Sequence, residues 1–190
     1  TQHTIYTHAE YAQSVHIADV DSDGDIDVLS TSADTKINWY ENNGSGSFTT
    51  HQIATSGYPY AVYATDVDND GDVDVIVADY SDGSSTLNGK IILYKNDGSE
   101  NFSTVNIATS VHGPQDVHVM DMDKDGDKDI VAPRQDYDID WYENNGSESF
   151  TKHTVYNNAI GNKTVDVADI NGDGRLDILS ASYSDNKIAW

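Results

Sequence analysis

The sequence predicts an all-β chain, a β-propeller of four-stranded antiparallel blades, and three observations predict it. An acidic nine-residue loop occurs four times, at intervals of 47, 55 and 48 residues. The segments that enter and leave each loop alternate in polarity and are rich in β-branched residues, the pattern of strands. Between the loops the same strand and turn motifs return in the same order, at a period that marks propeller blades or similar arrays. Residues 1–190 therefore read as one domain of four repeats.

The loops are DVDSDGDID (19–27), DVDNDGDVD (66–74), DMDKDGDKD (121–129) and DINGDGRLD (169–177). Positions one, three and five carry side-chain oxygens: Asp19, Asp21 and Asp23; Asp66, Asp68 and Asp70; Asp121, Asp123 and Asp125; Asp169, Asn171 and Asp173. Glycine stands at position six, where a chain wrapping an ion has to turn sharply. Position seven ligates through its carbonyl, so its side chain varies: Asp25, Asp72, Asp127 and Arg175. Asp27, Asp74, Asp129 and Asp177 close the loops at position nine. Carboxylates crowded on so short a turn repel one another unless a hard cation joins them, and an oxygen-only donor set favours Ca²⁺, about four per chain. An EF-hand opens the same way but needs a Glu at position twelve and flanking helices. Position twelve here is Ser30, Val77, Ala132 and Ser180, and the flanks are strands.

The second repeat shows the predicted blade: strands at 61–66, 74–79, 90–95 and 101–107, with SDG and NDG at the turns. The insertion SDGSSTLNG at 81–89 accounts for the longer second interval. The third-strand motif is INWYENNGSGSF at 37–48 and IDWYENNGSESF at 139–150, more loosely IILYKNDGSENF at 91–102, and it returns as KIAW at the end. QHTI at 2–5 matches THQI at 50–53, TVNI at 104–107 and KHTV at 152–155, all fourth strands. No segment sustains a helical period. Unpaired strand edges are a liability that folds avoid, so residues 2–7 are expected to pair with 186–190. That pairing closes either a four-bladed ring in one chain or an eight-bladed ring in a homodimer, unless further blades follow in a longer chain.

The net charge of −23 looks extreme, yet 18 of the 33 acidic residues lie in the loops, and four Ca²⁺ would bring it to about −15. Ten scattered Lys and Arg exclude a nucleic-acid or anionic-membrane partner. An apolar content of 37% suffices for a core, no run is long enough to span a membrane, and cysteine is absent. The start at Thr1 without Met, together with loose Ca²⁺ loops, leads to the expectation of a processed, secreted protein.

The D-x-[DN]-x-D-G-x-x-D loops between strands resemble the FG-GAP/VCBS repeats of integrin α-subunit propellers and of many secreted microbial proteins, with the WYENNG turn similar to the VCBS branch. The likeness implies a calcium-binding propeller used for carbohydrate binding or adhesion, sometimes attached to polysaccharide-degrading enzymes. Asn171 at position three, Leu93 in place of the repeated Trp and the lack of FG…GAP flanks depart from the pattern.

Trp39, Trp141 and Trp190, with Tyr40 and Tyr142 beside two of them, recur at one position and read as packing between blades, with sugar stacking as the second reading. His3, His51 and His153 also recur and suit a hydrogen-bonding role. Residues that do not repeat are more informative, because packing of like blades does not require them. They are 58–60 (YPY), 112–115 (HGPQ), 134–137 (RQDY), and the series His16, Tyr63, His118 and Asp166 three residues before each loop. From these, Tyr63, His112, His118 and Arg134 join Trp39, Tyr40, Trp141 and Tyr142 as candidate ligand-binding residues. No nucleophile or paired-carboxylate signature assigns a catalytic residue. The expected function is a glycan- or surface-binding module, with a polysaccharide lyase or hydrolase, or an assembly module, as alternatives.

Overall fold

The structure, a computed structural model, describes residues 2–81, 85–136, 138–157 and 160–190. Four antiparallel sheets follow one another along the chain. The first holds β1 (Ala12–Ala18), β2 (Asp27–Ser32), β3 (Lys36–Asn42) and β4 (Phe48–Thr55). The second holds β5 (Pro59–Thr65), β6 (Asp74–Asp79), β7 (Gly89–Asn96) and β8 (Phe102–Val111). The third holds β9 (His118–Met120), β10 (Asp129–Pro133), β11 (Ile139–Asn144) and β12 (Phe150–Tyr156). The fourth holds β13 (Asn162–Ala168), β14 (Asp177–Ser182) and β15 (Lys187–Ala189). Within a sheet each strand pairs with the next, so every connection inside it is a hairpin and every sheet is a propeller-like blade. A single 3₁₀ turn, Thr86–Asn88, sits in the insertion expected at 81–89, of which 82–84 lie outside the described residues. Among the described residues no helix is long and apolar enough to cross a membrane.

The repeat extends to irregularities. The first pair of sheets one, two and four slips register near its outer end, between Ala12 and Ser14, Pro59 and Ala61, and Asn162 and Thr164. The third and fourth strands slip between Ile37 and Asn38, Ile91 and Ile92, and Ile139 and Asp140. A bulge adds local twist, and the same bulge in each blade keeps successive sheets alike. The third blade departs: β9 has only three residues, because Gly113 and Pro114 precede it and proline has no N–H to give a ladder.

The core lies between the sheets. Val20, Leu29, Ile37 and Trp39 of the first pack on Val62, Ala64, Val75, Val77, Ile92 and Tyr94 of the second. Val67, Ile76, Ile91 and Leu93 of the second pack on Val117, Val119, Ile130 and Tyr142 of the third. Val131, Ile139 and Trp141 of the third pack on Val165, Val167 and Ile178 of the fourth. Each fully buried aliphatic side chain contributes about 1.5–3 kcal/mol, so the interfaces carry the fold, and Leu93 fills the place held elsewhere by tryptophan.

Residues 2–7 form no strand and do not pair with β15, which is the edge of its sheet; the expected closure is not made within this chain. Tyr6 instead rests on Tyr40, with ring centroids 5.3 Å apart.

Candidate functional site

The acidic loops join the first and second strands of each sheet, and hydrogen bonds to their own backbone shape them. The position-one carboxylate turns Oδ2 to the position-six amide: Asp19 to Gly24 at 3.1 Å, Asp66 to Gly71 at 3.0 Å, Asp121 to Gly126 at 3.1 Å. Their Oδ1 atoms are buried and have no hydrogen-bond partner. Positions three and five each accept the amide two residues on, as Asp21 does from Asp23 at 3.2 Å and Asp23 from Asp25 at 2.8 Å. Position nine is fully buried in the first three loops. Asp27 accepts from Val20 at 3.0 Å and Asn42 at 2.7 Å, tying the loop to the neighbouring turn. Asp74 and Asp129 do the same with Val67 and Asn96, and with Met122 and Asn144.

Oxygens of Asp19, Asp21 and Asp27, of Asp66, Asp68 and Asp70, and of Asp121, Asp123 and Asp129 lie within 4.8 Å of one another in each group. Burial pushes the Asp74 carboxyl up to about 6, against the lowering pull of its two amide donors, and raises Asp129 as well. Buried carboxylates without a countercharge are costly, and a buried, unpartnered Oδ1 on the position-one residue of each cluster fits a hard cation with oxygen ligands.

The fourth loop differs. Asp169 Oδ1 accepts the amides of Gly172 at 2.7 Å and Asp173 at 3.1 Å, and the loop is mostly exposed. Asn171 replaces a carboxylate at position three and Arg175 adds a positive charge, so the fourth loop carries less negative charge than the other three. The second loop is distinct in another way: Lys95 pairs with Asp68 and with Glu148 at 2.7 Å, and stands 4.0 Å from Asp70. Sheets one and three have Glu41 and Glu143 at that position, each bonded to a histidine, His51 at 2.7 Å and His153 at 2.6 Å. Side chains also run between loops, from Asn69 to the Gly126 carbonyl at 3.4 Å and from Lys124 to that of Gly174.

Position seven holds a role the sequence did not disclose. Asp25, Asp72 and Asp127 lie against Gly44, Gly98 and Gly146 of the neighbouring turns, where an added Cβ would come within 2.3–2.5 Å of a carboxylate oxygen.

Of the candidate ligand residues, Trp39 and Tyr142 are buried between blades and Tyr40 is buried beneath Tyr6, while Trp39 and Trp141 stack on His51 and His153 with centroids 4.5 and 4.7 Å apart. The buried three are engaged in packing, whereas Trp141 is half-buried and lines an open apolar cavity with Met122, Leu176 and Trp190. The guanidinium of Arg134 is committed to Asp136, Asp138 and Asp140, the last at 2.9 Å, with Lys152 also on Asp140 at 3.0 Å. The series before the loops forms a row from inner strand to inner strand. His16 and Tyr63 lie 4.3 Å apart by centroid, Tyr63 and His118 5.5 Å, and His118 Nε2 is 3.7 Å from Asp166 Oδ1. Burial lowers the His16 pKa.

The other non-repeating segments converge at the end of the blades opposite the loops. Tyr58, Tyr60 and Tyr80, all half-buried, stand with centroids 5.8–6.4 Å apart. Gln13 donates to the Tyr58 hydroxyl at 3.2 Å, and Tyr80 donates to Gln135 Oε1 at 2.7 Å. The Gln135 amide bonds the His112 carbonyl at 2.9 Å, and His112 Nδ1 lies 3.4 Å from Asp136. The sequence had singled out 58–60, 112–115 and 134–137, of which Tyr137 lies outside the described residues; Gln13 and Tyr80 carried no signal, being single polar residues at strand ends.

Blades of this order, with acidic loops between their first two strands, define a repeat protein of the propeller type. The FG-GAP-like repeat family matches residues 19–77, 66–132 and 121–180, and the chain belongs to it. No curated protein matches it in sequence. Among solved structures it is similar to BBS1N in complex with ARL6DN (TM-score 0.63, 12% identity, 95% of this chain and 57% of that one). It is also similar to the V. cholerae biofilm matrix protein Bap1 (TM-score 0.53, 18% identity, 90% of this chain and 24% of that one). The chain thus spans less than two thirds of either, and at these identities the likeness is one of fold.

Proposed function

We propose that this chain is a calcium-stabilised propeller module for extracellular binding or adhesion, with a glycan received on the tyrosine face around Tyr58, Tyr60 and Tyr80. One observation carries the ligand assignment: residues that break the repeat meet at one end of the blades, where three half-buried tyrosines sit among Gln13, Gln135 and His112. Apolar ring faces beside amide and carboxylate groups suit a sugar, which offers C–H surface and hydroxyls together. Calcium is supported by the oxygen-only clusters and by the family, and an extracellular setting by the family and by the matrix protein among its structural neighbours.

A glycan array tests this with the chain and with Tyr60→Ala. Discrete hits lost in the variant support the reading; hits that survive place binding elsewhere. Cleavage of a polysaccharide with new unsaturated or reducing ends would favour the enzyme alternative, with the His16–Tyr63–His118–Asp166 row as its site.

A further inference from the structure

The three tyrosines of the proposed glycan face come from one blade, and no other blade repeats them. Tyr58 and Tyr60 stand eight and six residues before the second acidic loop, and Tyr80 six residues after it. The same places hold Tyr11, Gln13 and Ala33 in the first blade, Gly113, Gln115 and Gln135 in the third, and Gly161, Lys163 and Tyr183 in the fourth. Packing of like blades therefore does not call for the trio. Its ring centroids lie 6.4, 6.0 and 5.8 Å apart, close to an equilateral triangle. Tyr60 is tilted 33° from Tyr58 and 34° from Tyr80, and those two stand at 61°, so the tilts nearly add and Tyr60 is the middle ring of a fan. A triangle of this size underlies one pyranose ring with its hydroxyls, whereas platforms for successive sugars of a polymer would stand in a line.

The outer two rings are held from the blades on either side. Gln13 of the first sheet donates to the Tyr58 hydroxyl at 3.2 Å, and the Tyr80 hydroxyl donates to Gln135 Oε1 beside the third at 2.7 Å. Gly113 permits the second contact: it has φ +51°, and an added Cβ would come within 2.9 Å of Tyr80 Cε2 and 3.0 Å of Gln135 Oε1. Among the described residues the Tyr60 hydroxyl has no hydrogen-bond partner. The charged groups bonded into this end are matched already. Arg134 is committed to Asp136, Asp138 and Asp140, His112 faces Asp136, and the Asp79 carboxylate holds Ser56 and the amides of Gly57 and Tyr58. We infer that this patch is a subsite for a single neutral pyranose at the tip of a glycan, one per protein chain. The Tyr60 hydroxyl is its hydrogen-bonding contact, and Gln13 and Gln135 are positioning residues for the flanking rings. The inference rests on the glycan reading above and narrows it to neutral terminal sugars. Rings fixed before the ligand arrives lose little freedom on binding, which suits so small a contact.

Titration calorimetry in calcium buffer tests this with the methyl glycosides of glucose, mannose and galactose, with longer oligosaccharides of the same sugars, and with oligogalacturonates. At least one methyl glycoside is expected to bind at a single site, with affinity changing by less than about threefold as its sugar is lengthened. A gain of about tenfold or more with length overturns the single-sugar subsite and leaves the glycan reading standing. Binding confined to the oligogalacturonates does the same. Silence from these sugars and from a glycan array overturns both. Tyr60→Phe keeps the ring and removes the hydroxyl, and is expected to weaken binding by about fivefold; an unchanged affinity overturns the role of that hydroxyl. Gln135→Ala is expected to weaken binding by a similar factor, and Gln135→Glu, which keeps an acceptor for Tyr80, to restore it. Equal losses in the two variants, or none in either, overturn the positioning role.

Discussion

Asp19 and Asp27 close the same loop, and different forces set their roles. Asp19 offers Oδ2 to one exposed amide and leaves Oδ1 buried without a partner, whereas both oxygens of Asp27 hold backbone amides. Asp19→Asn is therefore expected to change stability by no more than about 0.5 kcal/mol in excess chelator, while weakening cation binding at the first loop. Asp27→Asn sets an NH₂ against an N–H donor and is expected to cost about 2–4 kcal/mol with or without the cation. Urea titrations in the two buffers check the pair; equal losses in chelator would show that Asp19 too is structural. Position seven adds a different constraint. Gly44 has φ +71° and Asp25 Oδ2 stands where its Cβ would go, so Gly44→Ala is expected to cost about 1–3 kcal/mol from backbone and steric strain. In an Asp25→Ala background the cost should fall by at least about 0.5 kcal/mol, and strict additivity in the double-mutant cycle would refute the contact. The gathering of the loop carboxylates was legible because they lie within nine residues; the contact with Gly44 was not, since it depends on two hairpin turns meeting across a sheet.

At the scale of the element, β6 occupies the expected 74–79 and β7 extends the expected 90–95 by one residue at each end. Alternation and β-branching mark such strands without tertiary information. β8 runs on to Val111 and β9 is reduced to three residues, because the ladder yields to the Gly113–Pro114 corner that leads to the tyrosine face. That face was only half legible: departures from the repeat flagged three of its segments, but their convergence depends on which strand ends share one end of the blades. The loops also prove unequal as elements. Where sheets one and three have glutamates, Lys95 already compensates Asp68, and a cation entering the second loop has to displace it. Lys95→Glu is expected to tighten that loop's cation affinity by about tenfold or more, since removing one like charge close to a cation is worth about 1 kcal/mol even at the dielectric of bulk water and more near a protein surface. Terbium luminescence titrated loop by loop would show this; no change would mean that Lys95 swings clear in the loaded protein. Titration calorimetry should find the first and third loops tightest, the second weakened by Lys95, and the fourth weakened because Asp169 is turned to its own loop amides. Four equal sites would contradict this.

The whole molecule depends on its loops to an extent that its core explains. The cores lie between blades rather than within one, so each sheet is held by its neighbours and by the hairpin loops that fix its first two strands. The period of the repeats made this architecture legible from the sequence, while the closure of the ring was not, because the angle between blades follows from side-chain volumes at the interfaces and not from any local motif. A cation that binds only the folded chain stabilises it by about 2.7 kcal/mol at a hundred times its Kd, and three gathered clusters give about 8 kcal/mol by that arithmetic. That is comparable to the total stability of an ordinary domain. At about 2–4 °C per kcal/mol for a chain of this size, excess EDTA is expected to lower the melting temperature by roughly 15–30 °C. Calcium should restore it and magnesium should do so only in part, because a smaller ion that demands octahedral geometry fits a flexible multi-carboxylate loop poorly. Differential scanning calorimetry in the three buffers checks this, and an unchanged transition in EDTA would show that the acidic loops fold by their hydrogen bonds alone.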